Sequence, residues 1–304
     1  MVAMTAVMWV AIVGVGAGGV TQVGLHVLIR RGISAAALLC IWGVMVGLII
    51  TALALPALAE LLHRCWLTVH SADTSSVSTP AGALSVSILL VAAMRGGWRL
   101  GHIGRLRHRL HGRHFEMMWV LTRERPRRGA VLWLPATQPL AYSLAGQPPL
   151  VVATAGLREV FDDATVGAVL AHEHAHVARR HHLLVALADA LASGLGWLPL
   201  MRQSPSLVRT LVELDADAHA ARGHGPHRLL LALQALQHAT APPAALGITS
   251  ECTQLRLARL AAEQRGGSGR FDGAAARCGA VLVVGVTALL GLGTVIGLVS
   301  CTAV

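Results

Sequence analysis

Four stretches without a single Asp, Glu or Arg limit what this chain can become: residues 2–29, 33–55, 74–94 and 278–304. Crossing the hydrocarbon core of a bilayer takes about 20 apolar residues as a helix, and each run supplies that length. A backbone in hydrocarbon must pair its own N–H and C=O groups, so runs of this kind are expected to be helical. Composition agrees: 54% of residues are hydrophobic, 13% are charged, and the mean hydropathy is +0.61, outside the range of an ordinary soluble domain. The expected fold class is a mainly α membrane protein with four transmembrane helices, and an α+β domain inserted between helices 3 and 4. The first three spans are placed at about 2–29, 33–55 and 76–94, the domain at 96–276 and the fourth span within 277–304. Pro56 is expected to close the second span, and the Ser/Thr-rich stretch within 60–80 reads as an exposed loop. The first run lacks the basic start of a cleaved signal peptide, and its glycines Gly14, Gly16, Gly18 and Gly19 offer surfaces for close helix packing.

The net charge of +10 comes from arginine alone, because the chain contains no lysine. From Arg95 to Arg128 the arginines crowd one segment, and Arg30 and Arg31 form a second basic turn. Basic loops stay on the cytoplasmic side, so both point to a multi-pass plasma-membrane protein with an outside N-terminus and a cytoplasmic central domain. His102, His108, His111 and His114 interleave with the arginines without metal-binding spacing, which reads as a basic surface against anionic lipid headgroups. Aromatic residues make up only 4% of the chain and no basic-aromatic platform appears, so the lipid bilayer is the expected partner and direct nucleic-acid binding is not.

The chemistry is concentrated in His172, Glu173 and His176, an H-E-x-x-H pattern among residues that favour a helix. Four positions apart on a helix, the two imidazoles leave one face and can share a tetrahedral Zn2+ ion. Glu173 adjoins the first of them and can act as general base towards a zinc-activated water. A catalytic zinc needs a third protein ligand, and Glu213 would complete a His, His, Glu set. Asp217, one turn further on, is suited to orienting a ligand histidine through its other ring nitrogen. Ser204 and Pro205 are expected to cap and open the helix that carries both acids. The transition-state donor stays open among Tyr142, His224, His227 and Arg256.

Around this motif, residues 131–134 and 150–154 read as short strands flanking a Pro/Gly-rich loop that contains Tyr142, and one of them could bind extended substrate by edge addition. Asp162 or Asp163 should cap the metal-binding helix, with Val166, Val169, Leu170 and Val177 facing the core. The apolar run 183–201 approaches span length, but a single crossing would put Glu213 on the far side of the bilayer from His172, so it reads as buried core or as helices lying against or dipping into the membrane. Further helices are expected at 226–238 and 252–263. The five cysteines show no C-x-x-C spacing; Cys65 and Cys301 would both sit near the outer face, where pairing and two free thiols are both open.

Three spans, an H-E-x-x-H domain and a fourth span resemble the BlaR/MecR-type membrane metallopeptidases, the transducers of beta-lactam sensing. The resemblance runs through residues 169–180, Trp197 to Pro199, Glu213 to Asp217 and Arg256 to Leu260. It implies zinc at His172, His176 and Glu213, Glu173 as general base, and regulated cleavage of the protein itself, of a cytoplasmic BlaI-like repressor, or of both. Two features depart from that family. His181 and His182 follow Arg179 and Arg180 where members often carry an Asp, and no penicillin-binding sensor domain follows the last span, so a signal is expected to enter through the outer loop, the spans or a partner. Two other readings stand beside this one: an HtpX-type quality-control membrane protease and a non-catalytic membrane signalling scaffold. A homodimer is compatible with all three.

Overall fold

The computed structural model describes residues 23–70, 80–122, 130–146, 148–240 and 248–265. The fourth expected span, most of the first with its glycines, and Cys301 lie outside the described residues. Nine helices and three strands occur among the described residues: α1 (23–30), α2 (Ala35–His70), α3 (Pro80–Thr122), β1 (Val131–Leu134), β2 (Ala141–Leu144), β3 (Leu150–Thr154), α4 (Gly156–Val160), α5 (Asp163–Ala178), α6 (His181–Leu195), α7 (Pro199–His224), α8 (Pro226–Thr240) and α9 (Ile248–Gln264). The described residues divide into two compact units, one of 23–70, 80–98 and 189–205, the other of 99–122, 130–146, 148–188, 206–240 and 248–265, and α3, α6 and α7 each pass from one to the other.

Two segments are long and apolar enough to cross a bilayer, Ala35–Leu55 within α2 of the first unit and Gly82–Arg109 within α3, which runs on into the second, and they point to a membrane protein. The apolar part of α2 ends where Pro56 predicts, but the helix continues to His70. Its continuation is rich in Ala and Leu and carries a Glu60 to Arg64 ion pair of 2.9 Å one turn apart, so helix propensity outweighs the one lost N–H bond. The loop expected at 60–80 is therefore helical as far as residue 70. Likewise α3 does not stop at Met94 but runs through the arginine-rich segment to Thr122. Glycines set the closest approaches here: a side chain at Gly194 would meet the Ala92 carbonyl at 2.5 Å, and one at Gly96 would meet that of Ala190 at 3.2 Å.

Residues 189–205 belong to this unit, and here the expected helix start is corrected. Pro199, not Pro205, opens α7, and Pro205 lies inside the helix. Ser204 is fully buried rather than capping; its hydroxyl donates to the Leu200 carbonyl and accepts from Trp42 Nε1, each at 2.8 Å. A serine that turns back on the preceding carbonyl is bonded as a helix interior, not as a cap. The run 183–201 is accordingly two helices joined by a turn at 196–198, the first only 15 residues long.

The second unit is built on a three-stranded sheet of order β1-β3-β2. Central β3 is apolar and buried on both faces, pairs parallel with β1 (Val131 with Val151) and antiparallel with β2 (Tyr142 with Val152). The two expected strands stand at their expected residues, whereas the loop around Tyr142 contains β2, which the brevity of Ala141 to Leu144 concealed. Gly156 permits the tight exit from β3, since a Cβ there would lie 1.9 Å from the Thr137 carbonyl oxygen. Asp162 caps α5, accepting a 2.9 Å hydrogen bond from the Thr165 amide. Ala168 of α5, Ala220 and Ala221 of α7, Leu229 of α8 and Leu260 of α9 form one buried cluster, which fixes the helices that carry the site.

Candidate metal centre

His172 and His176 project from one face of α5, with their Nε2 atoms 3.1 Å apart. Glu213, on α7, closes the triangle, its two carboxylate oxygens 3.5 Å from His172 Nε2 and 3.4 Å from His176 Nε2. Tetrahedral zinc with bonds of about 2.0–2.1 Å has ligand-to-ligand edges of about 3.3–3.4 Å, and each histidine Nε2 stands about that far from one of the two Glu213 oxygens. Among the described residues this is the cluster able to hold a metal ion. His174, between the two histidines in sequence, bonds back to the Leu170 carbonyl at 2.7 Å instead.

Behind the triangle, each histidine has a separate support. Asp217, four residues after Glu213 and thus on the same face of α7, puts Oδ1 2.9 Å from His172 Nδ1, a contact distance without the alignment of a hydrogen bond. For His176, Nδ1 lies 3.0 Å from Nδ1 of His181, whose Nε2 lies 3.1 Å from Asp215. The donor order is consistent for a metal-facing His176: its Nδ1–H donates to His181, and His181 Nε2–H donates to the carboxylate. Asp215 is held in turn by Arg179 at 2.7 Å. Arg180, at φ 54°, makes the left-handed turn that ends α5 and starts α6 at His181. Sequence reasoning left the role of His181 in doubt and did not find Asp215; the alternating acids of Glu213, Asp215 and Asp217 were the available signal.

Arg256 of α9 ties the two acids together. Its guanidinium donates to Asp217 at 2.7 and 2.8 Å and lies 2.9 Å from Glu213. Burial by itself would raise both carboxyls, yet the Arg256 guanidinium, which donates to Asp217, and the His172 ring beside both acids hold each near 2. Burial would likewise lower His172, but the carboxylates of Asp217 and Glu213 outweigh it and push the ring up to about 9. At His176 burial dominates and holds the ring at about 4. Burial raises Glu173, only partly offset by the His172 charge and a hydrogen bond from Ser143, which makes it a better proton acceptor than an exposed carboxylate.

A cavity of about 360 Å³ opens on this cluster, with His172, Glu173, His176 and Glu213 in its wall together with Tyr142 and Arg256. His224 and His227 do not line it; the His224 ring packs beside Gly167, and His227 Nδ1 stands 3.4 Å from Gln264 Nε2. A second cavity of about 360 Å³ shares Ser143, His176 and Glu213 with the first.

Residues 117–203 match the family model of peptidase family M48, a family of zinc-dependent metallopeptidases. The matched segment contains H-E-x-x-H and stops short of Glu213, so the similarity covers two of the three candidate donors and is that of a metallopeptidase. No curated protein and no solved structure matches the chain.

Proposed function

We propose that this protein is a membrane-anchored zinc endopeptidase whose ion is held by His172, His176 and Glu213. The observation that carries the reading is the convergence of three side chains from two helices, the histidine Nε2 atoms 3.1 Å apart and 3.5 and 3.4 Å from Oε2 and Oε1 of Glu213 respectively. Zinc in that position supplies Lewis acidity towards a water and the scissile carbonyl. Glu173, half-buried beside these donors, takes a proton from the attacking water and passes it to the leaving amine. Tyr142 and Arg256 line the same cavity and are the groups of this chain placed to meet negative charge on the carbonyl oxygen. Asp217 orients His172, and the edge of β2 beside the cluster offers backbone groups to an extended peptide.

The finer reading is regulated cleavage, of the chain itself or of a cytoplasmic protein such as a BlaI-like repressor. It is supported by the order of motifs from residue 169 to 260 and by apolar helices preceding the H-E-x-x-H helix. Incubating zinc-loaded protein, in detergent or nanodiscs, with a neighbouring repressor and with an unfolded membrane protein separates signalling from quality control. Cleavage of the repressor at one bond, abolished in Glu173→Ala, is expected. Equal cleavage by both forms refutes the mechanism, and indiscriminate digestion of the unfolded protein refutes the signalling role.

A further inference from the structure

Two cavities of equal size meet at His176 and Glu213, and their linings differ in kind. On one side, α8 contributes Leu229, Ala232, Leu233 and Leu236, an aliphatic wall next to His172 and Glu173. On the other, the walls carry Arg107 from α3 and Arg209 from α7, and among the described lining residues the one carboxylate is Glu213 itself. Arg107 is fixed at that wall by donating to the His182 carbonyl at 3.0 Å, while Arg209 is exposed and reaches the cavity from the face of α7 that carries Glu213, one turn away.

Strand β2 links the two. Ala141 and Tyr142 line the aliphatic cavity, Leu144 and Ala145 the basic one, and Ser143 borders both. A peptide extended along that edge advances about 3.3 Å per residue, so it places successive same-face side chains on opposite sides of the metal cluster. We propose that the preferred substrate is a peptide segment with an aliphatic residue on one side of the scissile bond and an acidic residue within two positions on the other, the acid being read by Arg107 and Arg209. This rests on the peptidase reading for its location but not for its measurement, because binding can be followed without turnover.

The test uses the zinc-loaded full chain carrying Glu173→Gln, in detergent, and fluorescent peptides that differ only in Glu or Lys at the position in question, made in both orders relative to a leucine. In one order the glutamate peptide should bind about fivefold more tightly than the lysine peptide, the scale expected when a partly exposed pair of guanidinium groups selects a charge. Arg209→Glu should bring that ratio to one or below, with Arg209→Gln between, and circular dichroism establishes that each variant is folded. Equal affinities in both orders, no binding of either peptide, or a ratio that Arg209→Glu leaves unmoved overturns the proposal. Charge-selective binding together with wild-type protein that cleaves none of the peptides overturns the peptidase reading and leaves this subsite standing.

Discussion

Replacing His181 by alanine tests whether the support behind His176 is part of the metal site. The ring is 2% exposed and is the group that connects His176 Nδ1 to Asp215. Without it, Nδ1–H of His176 loses its acceptor and the imidazole is free to turn, while Asp215 keeps Arg179 and is not orphaned. Loss of an outer partner of a ligating histidine typically costs 10- to 100-fold in metal affinity, or about 1.4–2.7 kcal/mol. His181→Ala should therefore weaken zinc binding by that factor, read by competition against a calibrated chelator. Gln at 181 can accept from His176 while donating to Asp215 and should recover part of the loss; Asp215→Asn, which keeps the shape and removes the charge, should cost less than His181→Ala. Thermal melts of the metal-free proteins separate loss of affinity from loss of fold. A folded His181→Ala protein that binds zinc within twofold of wild type would falsify the relay, whatever its activity.

Zinc binding should be coupled to protons with a definite sign. His172 is raised to about 9 without metal, so at pH 7 it must lose its proton to ligate, and about one proton per ion should appear; calorimetry in buffers of different ionisation enthalpy reads it, and equal heats in all buffers refute the shift. Arg256→Met should destabilise the protein by about 3–5 kcal/mol at neutral pH, because the buried Asp217 carboxylate loses its cation and the partly exposed Glu213 loses a neighbour. The carboxyl of Asp217 is depressed from 3.8 to about 2, so its contribution is present above 3.8 and lost as pH falls towards 2; the variant should accordingly unfold at a higher pH on acid titration by circular dichroism, and an unmoved midpoint contradicts the pairing. Arg180→Gly should stabilise by about 0.5–1 kcal/mol in a urea melt, since φ 54° strains any side chain but not glycine; a lower denaturation midpoint would show that the arginine makes a contact worth more than the strain.

Most of the site was legible because helix periodicity carries its geometry. H-E-x-x-H needs only an i, i+4 face, and Glu213 with Asp217 repeats that spacing on a second helix, so contact follows once the helices pack. The cap at Asp162 was legible for a similar reason: acid, then an amide three residues on, is a local arrangement. What escaped has a non-local cause. Ser204 and Pro205 have the local signature of a helix start, but the helix had already begun at Pro199, and the serine is occupied by Trp42, 162 positions away in the chain. Strand β2 has four residues and a half-buried pattern throughout, so its identity comes from pairing with β3, not from its own alternation. Pro56 failed as a terminator because a single proline removes one hydrogen bond while the residues beyond it still favour helix.

The three acids of α7 show why one of them was unreadable. At 100° per residue, Glu213 and Asp217 lie about 40° apart around the helix, whereas Asp215 is turned about 200° from Glu213. A periodicity argument therefore assigns the first and third to the histidines of α5 and sends the second elsewhere. It returns to the site only because the chain reverses at Arg180 and begins α6 with an imidazole, which bridges the gap from Asp215 to His176 with two nitrogens on opposite sides of one ring. An aspartate at position 181 could not do this, since two facing carboxylates would repel and neither carries a proton to give. His181 and the acid at 215 are thus one device, and their coupling is measurable. In a double-mutant cycle on zinc affinity, Asp215→Asn should cost little once His181 is alanine, whereas additive losses would mean that the two residues act separately.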